Sequence, residues 1–342
     1  MSPQGAHALG RAHESLSVEL RIEIEKLALR APFRISDRVF ESVEALVATV
    51  TADGIEGRGE AQGVYYLGET AESMRAQIEA AGVGFGQSLT RSRLQALLPP
   101  GGARNALDCA LWDLEAKQAN SRVWDLIGLM PRPLRTAYTL SFEPTAKAMA
   151  ERARELFEWP VLKVKLGADE PVERIAAIRS ARPDAELMVD ANQAWTLEEL
   201  SDIAPNLKAL GVTLIEQPLC RNQDSALEHY VSPIPLCADE SCLSFSEIAV
   251  AARRYQMINI KLDKAGGLTE ALWMAREVRA RRLGLMVGNM GGSSLSMAPS
   301  FVIGLMADTV DLDGPLDLVQ DRVHQLQYRR GIVHPPTAQL WG

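Results

Sequence analysis

Residues 161–192 read VLKVKLGADEPVERIAAIRSARPDAELMVDAN, a short apolar run, a stretch with helical spacing, and a second apolar run. Runs this short, Val161–Leu166 and Leu187–Val189, read as interior strands, and the text between them as the helix that returns the chain to a parallel neighbour. Outward from this unit the rhythm continues. Further runs fall at Thr136–Leu140, Val212–Ile215, Pro235–Ala238, Met257–Ile260, Leu283–Val287 and Thr309–Leu312. The spacing is roughly 20–27 residues, and eight such units predict a closed (β/α) barrel over 135–320. An open doubly wound sheet would carry G-x-G-x-x-G after a strand, and no strand here is followed by one.

Upstream the pattern differs. LSVELRIEIEK (16–26) and VEALVATVT (43–51) alternate apolar and polar residues, the mark of half-exposed strands, and Ala52-Asp53-Gly54 turns the chain into a third over Ile55–Glu60. One helical stretch is expected from about Thr70 to Leu98, broken by Leu98-Pro-Pro-Gly-Gly102. A buried helix follows over Ala103–Gln118. Residues 16–134 thus form a small α+β unit. Residues 1–15 are polar, lack the apolar core of a secretory signal, and are expected to be a disordered leader. Residues 321–342 show no ninth unit and are expected to fold back onto the N-terminal unit.

The 342 residues carry a net charge of -8, which disfavours a nucleic-acid or anionic-membrane role. No stretch approaches the roughly 18 apolar residues of a membrane span. Cys109, Cys220, Cys237 and Cys242 form no C-x-x-C pair and read as reduced thiols of a cytoplasmic protein. The five histidines lie away from every strand end, which argues against a zinc site or a His-based triad.

In a barrel the C-terminal strand ends converge on one face. Here they carry Lys163 and Lys165, then Asp190 with Asn192, Glu216, Asp239 with Glu240, Lys261, and Asp311 with Asp313. Asp190, Glu216 and Asp239, from consecutive strands, form an all-oxygen set suited to Mg²⁺, with Mn²⁺ also suitable. Lys163 and Lys165 are two apart and face the same way. Lys261 comes from across the barrel. Two opposed lysines flanking a metal could take a proton from one face of a carbon and return it to the other. Such a base needs a lowered pKa, which neighbouring cations would supply.

Together the strings LKVKLG, MVDANQAW, LIEQP, ADES and INIKLDKAGGLTEA resemble the enolase superfamily, muconate-lactonizing subgroup. The resemblance covers the chain from about Ser17 onward. It implies a (β/α)7β TIM-like barrel with an N-terminal α+β capping domain. It also implies Mg²⁺ on Asp190, Glu216 and Asp239, and proton transfer by Lys165 and Lys261, a lysine-plus-Mg²⁺ strategy established for that superfamily. The stretch VDLDGP (310–315) resembles the D-x-D motif of dipeptide epimerases, whose carboxylates bind the substrate's free ammonium; KLDKAGG, with Asp263, points the same way. The substrate is then a small dipeptide, Ala-Glu or a more apolar one, and the protein a homo-oligomeric isomerase. Substrate-binding positions are Thr139, Lys163, Asp311 and Asp313, together with Arg38 (or Arg34) from the loop Pro32–Arg38 and Tyr66 from the loop Ala61–Thr70. Gln62, Tyr65 and Tyr66 depart from the Pro-rich, Arg-containing segment expected of an Ala-Glu epimerase. Two rivals remain: an N-acylamino-acid racemase or o-succinylbenzoate synthase, and a non-catalytic binding protein on the same barrel.

Overall fold

The computed structural model describes residues 18–35, 38–82 and 89–342. The expected leader, residues 1–15, lies outside the described residues. Three antiparallel strands open the fold, β1 (Glu19–Ile35), β2 (Arg38–Ala52) and β3 (Ile55–Ala61). Asp53 and Gly54 join β2 to β3 as a two-residue turn, both with positive φ (52° and 76°), the geometry Asp-Gly favours between twisted strands. β1 is longer than its alternation predicts, and the expected loop Pro32–Arg38 is a correction: Pro32–Ile35 belong to β1 and Arg38 opens β2. The strand survives Pro32 because β1 is an edge strand and its register shifts between Ala28 and Phe33, where no ladder donor is needed.

The single helix expected over 70–98 is two, α1 (Ala71–Ala80) and α2 (Arg91–Leu97). A reciprocal Thr70–Ser73 capping box starts α1, and Gly82, in the left-handed region at φ 64°, follows its end. A third helix, α3 (Gly102–Gln118), lies against the sheet so closely that a Cβ on Gly59 would stand 2.1 Å from the Ala106 carbonyl. Only glycine permits that approach.

A two-residue strand, β4 (Leu134–Arg135), precedes the barrel. The eight barrel strands are β5 (Tyr138–Leu140), β6 (Val161–Lys165), β7 (Glu186–Asp190), β8 (Val212–Glu216), β9 (Leu236–Ala238), β10 (Met257–Ile260), β11 (Gly284–Val287) and β12 (Thr309–Val310). All neighbours are parallel and in sequence order. Ala137 N–H donates to the Val310 carbonyl at 2.8 Å and Leu312 N–H to Thr136 Oγ1 at 3.0 Å, so the two ends of the sheet meet. Inside, Ala137, Val161, Met188, Leu214, Cys237, Met257 and Met286 form an apolar ring, one residue from each of seven successive strands or their approaches. Side chains alternate along a strand, so the inward residues two positions further on form the next layer. They are Thr139, Lys163, Asp190, Glu216, Asp239, Asn259 and Gly288.

The last residues tie the molecule together. β13 (Tyr328–Arg329) and β14 (Ile332–Val333) extend β4 into a small antiparallel sheet. Trp341 is fully buried and donates Nε1–H to the Cys109 carbonyl on α3 at 3.0 Å; Gly342 N–H reaches Asp113 Oδ1 at 2.6 Å. No disulfide links the four thiols, and no helix among the described residues is long and apolar enough to cross a membrane. Replacing Trp341→Ala removes the largest buried side chain at this junction. The expected loss is about 3–5 kcal/mol of unfolding free energy, measurable by denaturant titration; a loss under about 1 kcal/mol would mean the C-terminal segment carries little of the stability.

Candidate active site

The layer above the apolar ring is charged, and it opens into a cavity of about 310 Å³ between barrel and cap. Lys163, 2% exposed, sits among carboxylates: its Nζ is 2.7 Å from Glu216 Oε2, 3.0 Å from Asp311 Oδ2 and 3.1 Å from Asp190 Oδ2. Lys165 Nζ donates to Asp190 Oδ2 at 2.6 Å and to Asn192 Oδ1 at 3.0 Å. Four strands away, Lys261 Nζ meets Asp239 Oδ2 at 2.7 Å. Lys163, Lys165 and Lys261 all line the cavity. Positive φ at Asn192 (43°), Gln193 (68°) and Gln217 (36°) bends the chain sharply after β7 and β8. Such conformations cost about 1–3 kcal/mol each and persist where hydrogen bonds over-determine them. Gln217 Oε1 accepts from the backbone N–H of Asp239 and of Ser241, both at 3.0 Å.

Electrostatics here follow from burial. Desolvation opposes charge on Lys163 and Lys261, but the surrounding carboxylates outweigh it and hold both above the ordinary lysine range. In this arrangement each of these two ammonium groups faces more anions than cations. Burial likewise opposes ionisation of Asp190 and Asp239, yet the lysines pull both below the usual carboxylate range. Glu240 is pushed up to about 8 by burial and by Asp239 and Asp190, and Asp311 to about 6 by burial against the pull of Lys163.

Among the described residues, no three acidic, histidine or cysteine side chains close on a common point; Asp190, Glu216 and Asp239 are drawn to ammonium groups instead. The donor set nevertheless fits a hard divalent cation. Three carboxylates on adjacent strands, each at most 1% exposed, turn hard oxygens toward the same group of lysines at the cavity floor.

The remaining expected positions divide. Asp311 and Asp313 both line the cavity. Asp313 is engaged at both oxygens, by Thr139 N–H at 2.6 Å and Asn289 Nδ2 at 3.2 Å, whereas Asp311 Oδ1 is buried without a partner. Thr139 and Tyr66 line the cavity, and the Tyr66 hydroxyl is also buried and unpartnered. Asn192 Nδ2 lies 3.4 Å from Glu240 Oε1. Asp263 faces away from the lysines: its Oδ1 accepts from Gln62 and Gly63 N–H, both at 2.9 Å, pinning the loop after β3 to the barrel. Arg34 is exposed and absent from the lining, and the Arg38 side chain lies outside the described residues. The cap-side wall is instead largely apolar and aromatic, with Leu29, Phe33, Phe40, Val43, Tyr65 and Tyr66, and Met290 joins it from the loop after β11.

Three residues escaped the sequence reading. Asn259 Nδ2 donates to Glu216 Oε1 at 2.7 Å, Lys264 Nζ to Asp239 Oδ1 at 2.6 Å, and Asn289 Nδ2 to the Asp311 carbonyl at 2.8 Å. Asn259 stands two before Lys261 on the inward face, and the rule that pairs Lys163 with Lys165 would have found it.

The pattern of the mandelate racemase / muconate lactonizing enzyme N-terminal domain matches residues 17–128, and that of the enolase C-terminal domain-like family matches residues 145–339. The chain is 42% identical to the L-Ala-D/L-Glu epimerase of Escherichia coli K12 over 91% of its length and 97% of that protein. It is 41% identical to the N-acetyl-D-glutamate racemase of a Pseudoalteromonas species over 87% of its length and 95% of that protein. An enolase family member from Agrobacterium tumefaciens, solved with sodium and L-Ala-L-Glu, superposes with a TM-score of 0.90 at 39% identity, covering 95% of this chain and all of that one. With both domain patterns matched in order around this charged barrel mouth, the chain belongs to the mandelate racemase / muconate lactonizing enzyme family of the enolase superfamily.

Proposed function

We propose that this protein is an isomerase that inverts the α-carbon of the C-terminal residue of a dipeptide by two-base proton transfer. The observation that carries the reading is the placement of Lys165 and Lys261 on strands four apart, both opening on one cavity. With Lys165 neutral and Lys261 charged, Lys165 Nζ removes the α-proton from one face and Lys261 Nζ–H delivers a proton to the other. The reverse reaction exchanges their roles. Asp190, Glu216 and Asp239 would hold Mg²⁺, which when bound neutralises those carboxylates and stabilises the charge that develops on the substrate's carboxylate.

Asp311 supplies the other anchor. Its unpartnered buried oxygen calls for an N–H donor, and the ammonium of an N-terminal residue is one. The side chain of the inverted residue meets the aromatic wall, which suits an apolar residue as well as glutamate's methylenes. One observation favours a second reading. Both oxygens of Asp313 are already engaged, so a single amide N–H would satisfy Asp311, as an N-acylamino acid would provide.

Incubation with Mg²⁺ in D₂O of L-Ala-L-Glu, L-Ala-L-Leu and N-acetylglutamate separates these readings. A gain of one mass unit at the α-carbon of the dipeptides is expected; exchange confined to N-acetylglutamate overturns the dipeptide reading, and no exchange at all overturns the isomerase. Lys165→Met and Lys261→Met should each lower epimerisation by about 10²–10⁴-fold, each retaining exchange with only one of the two epimers. Asp311→Asn should reduce kcat/KM for a dipeptide by roughly 10- to 150-fold, the value of a hydrogen bond to a charged group. The same change should leave an N-acylated substrate nearly unaffected.

A further inference from the structure

Each of the three carboxylates has one oxygen fastened from behind. Asp190 Oδ1 accepts the backbone N–H of Asn192 at 3.0 Å, Glu216 Oε1 accepts Asn259 Nδ2 at 2.7 Å, and Asp239 Oδ1 accepts Lys264 Nζ at 2.6 Å. The other oxygen of each, Asp190 Oδ2, Glu216 Oε2 and Asp239 Oδ2, meets only the cavity-lining lysines 163, 165 and 261 among the described residues.

The two groups of donors differ in kind. Lys264 is 2% exposed, does not line the cavity, and places all three N–H groups at once, on Asp239 Oδ1, on the Asp239 carbonyl at 2.6 Å and on the Asn259 carbonyl at 3.0 Å. Asn259 is fully buried, and a Cβ on the neighbouring Gly288 would come within 2.7 Å of its amide. Both side chains are buried, and Lys264 has all three of its N–H groups committed. The backbone N–H of Asn192 is fixed by the bend after β7.

We propose that Asn259 and Lys264 are positioning residues that, with the Asn192 N–H, lock one oxygen of each carboxylate so that each offers a divalent cation a single oxygen. The proposal rests on the cation reading above. Single-oxygen ligation suits Mg²⁺ and Mn²⁺, which demand regular octahedral coordination, whereas Ca²⁺ readily takes both oxygens of a carboxylate. Donors behind the ligands thereby set both affinity and choice of ion.

Lys264 makes the test sharp. Charge alone says that deleting an ammonium beside a cation site tightens binding; positioning says that binding weakens. In Mn²⁺ titrations of the full chain by calorimetry, Lys264→Met and Asn259→Leu are each expected to raise the Kd about tenfold or more and to reduce the preference for Mn²⁺ over Ca²⁺. Lys264→Gln and Asn259→Ser serve as milder replacements, with folding checked by circular dichroism. A folded Lys264 variant that binds Mn²⁺ as tightly as wild type or tighter, or an Asn259 variant with unchanged Kd, overturns the proposal. Wild-type protein that binds no Mn²⁺ overturns the cation reading itself.

Discussion

Lys163 could not be buried where it is without Asp190, Glu216 and Asp311, nor they without it. An ion moved from water into a protein interior loses several kcal/mol of solvation even after relaxation, and removing one partner of a buried pair costs about 3–5 kcal/mol. The barrel mouth meets this constraint by interleaving charge. Carboxylates from β7, β8 and β9 lie between lysines from β6 and β10, and each lysine that faces the cavity has a carboxylate within 3.1 Å. Arranged this way, the charges are both tolerable to the fold and available to a ligand. A cation or a charged substrate would exchange partners here without stripping water from an isolated ion.

The same logic joins the two halves of the molecule. The carboxylate of Glu60, on β3, is completely buried. It accepts Gln62 Nε2–H at 2.9 Å, the Ser293 backbone N–H at 2.7 Å, the Ser293 hydroxyl and the Arg322 guanidinium at 2.6 Å. Arg322 also reaches Glu25 on β1 at 2.7 Å. One carboxylate therefore connects the cap sheet, the loop after β11 and the C-terminal segment. Asp263 does the same for the loop after β3. Both junctions stand beside Gln62, which lines the cavity.

How far the site was legible in advance depended on whether a residue announced its partner. A charged residue at the end of an apolar run is conspicuous, because nothing in that run can neutralise it. Lys163, Lys165, Asp190, Glu216, Asp239 and Lys261 were therefore readable from local text. The inward placement of Asn259 followed from its spacing to Lys261, but its role and that of Lys264 did not, because an uncharged amide in an apolar run and a lysine one turn past a strand gain meaning only from partners 43 and 25 residues away. The extension of β1 through Pro32 was illegible for a similar reason. Its propensity argues for a loop, and only pairing with β2 overrides it. The division of residues 70–98 into α1 and α2 was hidden because apolar spacing alone does not register a stop at Gly82.

The apolar ring from Ala137 to Met286 has an evolutionary reach. It closes the barrel with buried apolar contacts that do not themselves rely on the charge pairing two residues above them. Mutation can then try new acids, bases and amides at the upper layer while the seal beneath remains intact. Foldability and reactivity are inherited on alternate residues of the same strands.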